Sequence, residues 1–449
     1  MLFMTLKLSV SGARGIVGKS FTPDLCRSMA TAFMAYTGGR NAVVGTDTRP
    51  SRGILKQAVF EGLRQSGCTA LDAGIVPTPT VSVLVREMKA DAGIVISASH
   101  NPPEWNGLKF FNSKGLFLNT VEADKLFRIW KEGRFPKNAP GGVPRVLEHP
   151  FTSHLDSVFG SVDVKRIGKM NFKVALDCVN GAGSKIIPRL LADLNCRVVA
   201  INTNVDLGFP HNPEPLPENL GDLSELVKRE GADVGFAVDP DSDRLAIVSN
   251  DGLPVGEENT LALSVQHVLK NRKATGPVVT NLSTTRAIDD IALRFNTRVI
   301  RTRIGEINVA EEMIRSGSPI GGEGNGGVIF PPVGHNRDSL IGIALTLEHM
   351  AFSGMPVAKL MDEVPRYHMI KRKIGCESNE KAKMLVDRIK VRFRNGRLDE
   401  TDGAKISFEN SWIHVRASNT EPVIRLIAEA GVEGEARKLL DEASKAMSG

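Results

Sequence analysis

The chain has 449 residues, of which 41% are hydrophobic and 24% are charged, and this composition is typical of a globular protein with about three or four domains. It has no run of about 18 apolar residues, which excludes a membrane-spanning helix, and its N-terminus does not resemble a secretory signal, so we expect a cytoplasmic protein without a membrane partner. The net charge is +6, but only 5% of the residues are aromatic and the basic residues form no long cluster, so a small anionic substrate is favoured over nucleic acid.

The same order of predicted elements occurs three times along the chain. An apolar strand, a polar loop, an amphipathic helix and a second strand are predicted from Ala42 to Gly74, and the pattern begins again at Lys173 and at Pro277. Each copy is a βαβ unit, in which a helix covers two parallel strands. After about residue 366 the predicted strands are joined by short turns, which favours an antiparallel sheet.

These patterns predict an α/β fold with four domains. Three repeated α/β domains with mixed sheets precede a smaller C-terminal α+β domain, and we expect all four to surround one central cleft. The predicted ranges, with boundaries in segments rich in Pro and Gly, are 1–150, 151–252, 253–365 and 366–449.

A further apolar run follows each βαβ unit and ends in a polar loop. The three loops have the sequences SASHNPP (97–103), DPDSDR (239–244) and GGEGNGG (321–327). Ligands of open α/β sheets bind beyond the carboxyl ends of the strands. We therefore expect the three loops to face one cleft.

The first loop contains a candidate nucleophile, Ser99. No Gly-x-Ser-x-Gly motif surrounds it, which disfavours an acyl-enzyme hydrolase. With a metal ion nearby, the serine oxygen is better suited to carry a phosphate, because the metal balances the phosphate charge. Lys109 follows on the next predicted strand, where it either points back to the loop or is an ordinary surface lysine.

The second loop places three carboxylates, those of Asp239, Asp241 and Asp243, on one side of an extended segment. Hard oxygen ligands favour magnesium or calcium. An EF-hand is excluded because Arg244 stands where that loop needs Gly and no Glu occupies its twelfth position. The alternatives are a solvated acidic turn and a catalytic magnesium site, and the adjacent arginine favours the magnesium site, where it would bind a phosphate.

The third loop and a C-terminal loop carry candidate substrate-binding groups. Glu323 and Asn325 lie among glycines, where a carboxylate and an amide can bind hydroxyls, although flexibility alone also explains such a loop. The C-terminal segment RASNTEPVIR suits a phosphate, the alternative being a capped hairpin turn. Its candidate phosphate ligands are Arg416, Ser418, Asn419, Thr420 and Arg425.

Taken together, the four motifs SASHNP, DPDSDR, GEGNGG and RASNTEP occur in the order found in the α-D-phosphohexomutases, and the whole chain resembles this family. The family includes phosphoglucomutases, phosphomannomutases and phosphoglucosamine mutases. The resemblance implies four domains around one cleft. It also includes the segments VGTDTR (44–49) and HNPEPLPENL (211–220), for which we predict structural roles.

The resemblance implies a role for each loop. Ser99 would carry a covalent phosphate and would bind Mg²⁺ together with Asp239, Asp241 and Asp243. The basic groups that assist proton and phosphoryl transfer would be Arg14, His100 and Lys109, without a choice of general base among them. The substrate would be held by Arg244, Glu323, Asn325, Arg416, Ser418, Asn419, Thr420 and Arg425.

The reaction implied by the resemblance interconverts a hexose 6-phosphate and a hexose 1-phosphate through a hexose 1,6-bisphosphate, which also acts as activator. Asn325 and Gly327 stand where many bacterial members have Ser and His, and this form resembles archaeal members. We expect glucosamine 6-phosphate as substrate, with a broad-specificity glucose and mannose enzyme as the alternative. A non-catalytic phosphosugar or nucleic-acid binding protein is the alternative of another class, and a homodimer or a homotetramer is compatible with this organisation.

Overall fold

The structure is a computed structural model that describes residues 6–133, 135, 141–417 and 423–448. Its first α/β unit forms a mixed sheet with the strand order β1-β2-β6-β5-β3-β4-β7. The elements of this unit are β1 (Lys7–Ser9), β2 (Gly12–Ile16), α1 (Pro23–Thr37), β3 (Asn41–Thr46), α2 (Arg52–Gln65), β4 (Thr69–Ile75), α3 (Thr78–Glu87), β5 (Ala92–Ile96), β6 (Trp105–Asn112), α4 (Thr120–Glu132) and β7 (Arg145–Val146).

The second unit forms a sheet with the order β11-β10-β8-β9. Its elements are α5 (Thr152–Phe159), α6 (Val164–Met170), β8 (Lys173–Asp177), α7 (Gly183–Asp193), β9 (Arg197–Ile201), a 3₁₀ turn (Pro217–Asn219), α8 (Gly221–Glu230), β10 (Val234–Val238) and β11 (Leu245–Val248). The third unit has the order β13-β12-β14-β15. Its elements are α9 (Glu257–Lys270), β12 (Val278–Asn281), α10 (Ala287–Arg294), β13 (Val299–Thr302), α11 (Glu306–Ser316), β14 (Gly321–Glu323), β15 (Gly327–Ile329), α12 (Ser339–Ser353) and α13 (Val357–Asp362).

The C-terminal unit is an antiparallel sheet with the order β16-β20-β19-β18-β17, and two helices pack against it. Its elements are β16 (His368–Gly375), α14 (Asn379–Arg392), β17 (Arg397–Asp399), β18 (Ala404–Ser407), β19 (Ser411–Ala417), β20 (Val423–Ala430) and α15 (Glu433–Ser448). None of the helices in the described ranges is long and apolar enough to cross a bilayer.

The three α/β units share one local topology. Their strand orders β4-β3-β5-β6, β9-β8-β10-β11 and β13-β12-β14-β15 are equivalent, with three parallel strands followed by one antiparallel strand. The third strand of each set, β5, β10 or β14, is buried along its whole length. Each of these strands leads into one of the three predicted polar loops. A strand that is covered on both faces can present polar side chains to a ligand only where it ends.

This architecture confirms the predicted fold class. One apolar core cluster runs from Leu155 to Val364 and is shared by the second and third units, whereas the buried core of the C-terminal unit draws on residues 382–447. The predicted boundaries near residues 150, 252 and 365 stay predictions.

Candidate active site

The loop that follows β5 holds Ser99 in a strained conformation. Its backbone φ is +51°, a left-handed value that is uncommon for a residue with a Cβ. The Ser99 amide donates to Ser97 Oγ at 2.9 Å, and Ser99 Oγ donates to Asp239 Oδ2 at 2.7 Å. The ring atom His100 Nδ1 lies 3.3 Å from Ser99 Oγ. The loop therefore aims the serine oxygen at the acidic loop of the second unit.

Arg49 fixes this loop, and it was not predicted as a site residue. It is fully buried and pairs with Asp47, with 3.0 Å between Nε and Oδ2. Its guanidinium also donates, at 2.5–3.0 Å, to the carbonyl oxygens of Ser99, Asn101, Pro102 and Trp105. The segment VGTDTR thus has a structural role, and the available signal was an arginine two residues after an aspartate at the end of β3.

The acidic loop after β10 is buried and only partly neutralised. Carboxylate oxygens of Asp239, Asp241 and Asp243 lie within 4.8 Å of one another. Asp241 Oδ1 and Asp243 Oδ1 are buried and have no hydrogen-bond partner among the described residues. Buried carboxylate oxygens without partners are costly unless a cation binds them. The donor set therefore fits Mg²⁺, which prefers carboxylate oxygens.

Burial and charged neighbours shift the pKa values of Asp239 and Asp243 in opposite directions. Burial raises the pKa of Asp239 well above its ordinary value, and Asp243 and Asp241 raise it further. Burial also favours the protonated form of Asp243, but Arg337, Lys109 and Arg244 hold its pKa below the ordinary range. The negative charge of the loop is therefore greatest at its Asp243 end, where a cation can bind.

Lys109 lies on β6 and points into the acidic loop, so it is not a surface lysine. It is 2% exposed and donates through Nζ to Asp241 Oδ2 and, at 3.2 Å, to Asp243 Oδ2. Burial alone would lower its pKa, but the two aspartates raise it. A fixed positive charge therefore lies beside the proposed metal ligands.

Arg14, His100 and Arg244 form the basic side of the cleft. Arg14 Nη1 lies 3.4 Å from Asn101 Oδ1, and burial lowers the pKa of Arg14. Burial, Arg244 and Arg14 hold the pKa of His100 well below 6.5, so its imidazole is neutral at pH 7. Arg244 Nη1 donates to Glu214 Oε1 at 2.9 Å. Glu214 belongs to the segment HNPEPLPENL and was not predicted at the site.

The predicted loop after β14 presents a carboxylate, that of Glu323, that is held on both oxygens. Glu323 Oε1 accepts from Asn281 Nδ2 at 2.8 Å and from the Gly305 amide at 3.3 Å. Its Oε2 accepts from Arg337 Nη1 at 2.6 Å. Asn325 Oδ1 is buried without a hydrogen-bond partner in the described part of the chain. Asn325 Nδ2 lies 3.5 Å from Glu323 Oε2, so both side chains are oriented, and Asn325 Oδ1 is left as an acceptor for a ligand hydroxyl or ammonium group.

The C-terminal unit places two arginines opposite each other. Arg416 and Arg425 are directly paired between β19 and β20, where like charges disfavour each other unless an anion lies between them. Arg416 Nη1 donates to Asp402 Oδ2 at 3.0 Å, and the same oxygen accepts from the Ile304 amide. The other predicted phosphate ligands, Ser418, Asn419 and Thr420, lie outside the described residues.

One chain of contacts connects the four predicted loops. It runs from Ser99 to Asp239, from Asp243 through Arg337 to Glu323, and from the Gly305 segment through Asp402 to Arg416. The structure therefore links described residues of all four predicted loops through hydrogen bonds and ion pairs. Arg337 was not predicted, and no feature of its local sequence, GHNRDSL, points to it.

Comparisons with known proteins agree with this arrangement. Sequence models of the phosphoglucomutase/phosphomannomutase family match in chain order: α/β/α domain I at residues 5–137, domain II at 149–252, domain III at 257–367 and the C-terminal domain at 373–446.

Individual relatives match over nearly the whole chain. A phosphoglucomutase/phosphomannomutase of Thermococcus kodakarensis is 38% identical over 97% of this chain and 98% of its own length. A probable phosphoglucosamine mutase of Methanopyrus kandleri is 34% identical over 96% and 95%. The crystal structure of a phosphoglucomutase/phosphomannomutase family protein from Burkholderia thailandensis superposes with a TM-score of 0.85 at 27% identity and covers 98% of both chains. The chain therefore belongs to the phosphoglucomutase/phosphomannomutase family of the α-D-phosphohexomutases and is an isomerase.

Proposed function

We propose that the chain interconverts hexose 6-phosphates and hexose 1-phosphates through a phosphoserine at Ser99 and a hexose 1,6-bisphosphate. The single observation that carries this proposal is the 2.7 Å contact between Ser99 Oγ and Asp239 Oδ2 inside a buried carboxylate cluster. A hydroxyl in this position is suited to carry a phosphate whose charge a bound cation offsets.

In the proposed reaction the bond between phosphorus and Ser99 Oγ breaks while a bond to a sugar hydroxyl oxygen forms. The hydroxyl proton moves to a nearby base, for which neutral His100 is available, and Ser99 Oγ leaves with the bonding electron pair and takes up a proton to become a hydroxyl again. Ser99, Asp239, Asp241 and Asp243 would hold Mg²⁺, which neutralises phosphate charge when bound. Lys109 and Arg14 contribute fixed positive charge beside the transferring group.

Two phosphate positions are needed because the bisphosphate has a phosphate at each end. One lies at Ser99 and the acidic loop. The other is proposed at Arg416 and Arg425 with Ser418, Asn419 and Thr420, where paired guanidinium groups suit an anion. Turnover of the bisphosphate between the two positions returns a phosphate to Ser99. Arg244, Glu323 and Asn325 would hold the sugar between them.

We propose glucosamine 6-phosphate as the preferred substrate. The relative from Methanopyrus kandleri, named a probable phosphoglucosamine mutase, supports this choice. The relative from Thermococcus kodakarensis, named a phosphoglucomutase/phosphomannomutase, supports glucose and mannose phosphates as the second candidates. Phosphorus NMR with Mg²⁺, a trace of bisphosphate and each 6-phosphate in turn distinguishes them by the initial rate of 1-phosphate formation.

Replacing Ser99 tests the nucleophile. Ser99→Ala is expected to lower kcat by at least about a thousandfold, because no other group is proposed to carry the phosphate. Intact-protein mass spectrometry should find one phosphate on the wild type and none on this variant. Ser113→Ala, at an exposed serine on the turn after β6, is the matched control. Near-wild-type turnover by Ser99→Ala would refute the assignment, and salt-sensitive phosphosugar binding without turnover by the wild type would favour a non-catalytic binding protein.

A further inference from the structure

Arg337 contacts three carboxylates that belong to three different segments. Its Nη2 donates to Asp243 Oδ2 at 2.8 Å, and its Nη1 donates to Glu323 Oε2 at 2.6 Å. Its Nε lies 3.1 Å from Glu306 Oε2, at the beginning of α11. The side chain is 11% exposed. One guanidinium therefore joins the proposed metal loop of the second unit to the proposed sugar loop of the third.

Arg337 binds one carboxylate oxygen of Asp243 and one of Glu323. Arg337 binds Asp243 Oδ2, and Asp243 Oδ1 makes no hydrogen bond among the described residues and lies 3.9 Å from Arg244 Nε. On Glu323 it occupies Oε2, while Oε1 is held by Asn281 and the Gly305 amide. The two nitrogens that make these contacts belong to one rigid plane, so a shift of either carboxylate moves the other.

The backbone on either side of Arg337 is anchored where three units meet. Asn336 Oδ1 accepts from Ser82 Oγ of α3 at 2.6 Å. Asp338 Oδ2 lies 2.8 Å from His154 Nε2 of α5, and the Asp338 amide donates to the Val328 carbonyl at 2.9 Å. The base of the arginine is thus fixed, and its guanidinium has little freedom to follow one loop without the other.

Gly327 provides the space in which this side chain lies. A Cβ on Gly327 would stand 2.1 Å from Arg337 Cδ and 2.7 Å from Arg337 Cγ. The three carboxylate contacts prevent the arginine from moving away. Arg337 thus occupies the space that a side chain at position 327 would take.

We propose that Arg337 is a positioning residue that couples the metal loop to the sugar loop, so that binding of Mg²⁺ and binding of the sugar phosphate strengthen each other. The inference rests on the proposed function, because that function assigns Asp243 to the metal and Glu323 to the sugar. Mg²⁺ at the acidic loop fixes Asp243, and through Arg337 it fixes Glu323 in the orientation that the sugar meets. By reciprocity, the sugar phosphate then raises the affinity for Mg²⁺ by the same factor.

The coupling is measured by calorimetric binding to the dephosphorylated full-length enzyme, in which no turnover occurs without bisphosphate. The probes are Mg²⁺ alone, glucosamine 6-phosphate alone and each in the presence of the other. In the wild type we expect Mg²⁺ to lower the Kd of glucosamine 6-phosphate at least about fivefold. In Arg337→Lys we expect this factor to fall to between about one and two, because one ammonium keeps the charge but cannot bind both carboxylates in a fixed fork.

Arg86→Lys is the matched control. Arg86 lies on α3 and donates through Nη2 to the Val333 carbonyl at 2.6 Å, so it supports the same junction without touching the three carboxylates. It should retain the wild-type coupling factor. The same factor in Arg337→Lys as in the wild type, or no coupling in the wild type, overturns the proposal. Loss of the native melting transition in Arg337→Lys also overturns it, because Arg337 then has a structural role.

The proposed function and this inference fail in different ways. Absence of mutase turnover and of a phosphate on Ser99 refutes the function, whereas the coupling factor is a binding measurement that does not depend on turnover. An active enzyme whose Arg337→Lys variant keeps the coupling refutes only the inference.

Discussion

At the residue scale, the proposed nucleophile depends on contacts that its own loop does not supply. Ser99 has a φ of +51°, a conformation that costs about 1–3 kcal/mol when the surroundings do not enforce it. Arg49 enforces it by binding three carbonyl oxygens of the loop and one at the beginning of β6, and Asp47 in turn holds Arg49. The conformation of Ser99 therefore depends on Asp47 and Arg49, which follow β3, as well as on its own loop after β5.

Replacing Arg49 should destabilise this arrangement. Arg49→Met leaves Asp47 buried without its cation and frees four carbonyl oxygens, so we expect a loss of about 3–5 kcal/mol in the free energy of unfolding. Chemical denaturation measures it. The control is Arg52→Met, because Arg52 lies nearby, is partly exposed and binds the Thr48 carbonyl and Asp206; its loss should be below about 1 kcal/mol. Equal losses in the two variants would contradict the role given to Arg49.

At the element scale, buried strands carry polar ends to the cleft. β5 and β10 are apolar because both faces of each strand are covered, and this pattern made them visible in the sequence. β14 is also buried, but it is a short Gly-Gly-Glu strand that ends in Glu323. β19 and β20 differ, since their antiparallel pairing sets Arg416 opposite Arg425. The ends of parallel strands carry the proposed catalytic groups, and an antiparallel pair carries the proposed phosphate anchor.

Arg416→Ala should weaken substrate binding more than it slows the chemistry. We expect KM to rise at least about tenfold and kcat to change by less than about threefold, because the anchored phosphate is not the one that reacts. Steady-state kinetics with glucosamine 6-phosphate gives both values. Arg437→Ala removes an exposed arginine of α15 that pairs with Glu433, and it should change neither. An unchanged KM in Arg416→Ala would count against the anchor.

A buried histidine on α12 should make the stability depend on pH. Burial, together with His267 and Lys270 on the facing α9, lowers the pKa of His349 to about 3. The unfolded chain takes up this proton near pH 6.5, before the folded protein does, so stability is fully present above that pH and is lost as the pH falls towards 3. At pH 5 the loss from this group is about 2 kcal/mol relative to pH 7.5.

His349→Met replaces the titrating group with an apolar side chain of similar size. Chemical denaturation at pH 7.5 and pH 5 should therefore show a smaller loss on acidification in His349→Met than in the wild type, by about 2 kcal/mol. His368→Met, at an exposed histidine of β16, should retain the wild-type loss. A pH dependence in His349→Met equal to that of the wild type would disprove this explanation.

At the scale of the whole molecule, the units are joined in two different ways. The second and third units share an apolar core cluster, whereas hydrogen bonds join the third unit to the fourth. Ser283 Oγ lies 2.8 Å from His414 Nδ1, and Lys405 Nζ donates to the Leu282 carbonyl at 2.6 Å. Polar contacts are more easily exchanged for water than an apolar core is. The C-terminal unit is therefore the one expected to move when the cleft opens.

Hydrogen exchange tests this motion. The amides of Arg286 and Ile304 donate across the boundary, to Glu429 Oε1 and Asp402 Oδ2 respectively, and they lose these acceptors when the C-terminal unit moves away. With Mg²⁺ and glucosamine 6-phosphate bound, their exchange should slow at least about fivefold. Amides of β10 lie within the second unit and serve as the control. Equal slowing of all these amides, or none at the boundary, would contradict the motion.

The sequence by itself determined the repeated βαβ pattern, the α/β class with an antiparallel C-terminal unit, and the loops that meet in the cleft. These features are local: hydrophobic periodicity reports which faces of a strand or helix are covered, and loop residues such as Asp239, Asp241 and Asp243 follow directly from the strand they end. The roles of Arg49, Glu214 and Arg337 were not visible in this way. Each binds a partner at least 30 residues away in the sequence. The residues next to an isolated arginine or glutamate do not indicate whether its side chain is buried.

Only the tertiary structure decided which charges compensate one another. Lys109 had two predicted orientations, and the packing of β6 beside the acidic loop selected the buried one, where Asp241 and Asp243 stabilise its charge. Arg337 joins two loops that the sequence predicts separately. The physical reason is that buried charges are stabilised by neighbours in space, and those neighbours are fixed by how the domains pack rather than by spacing along the chain.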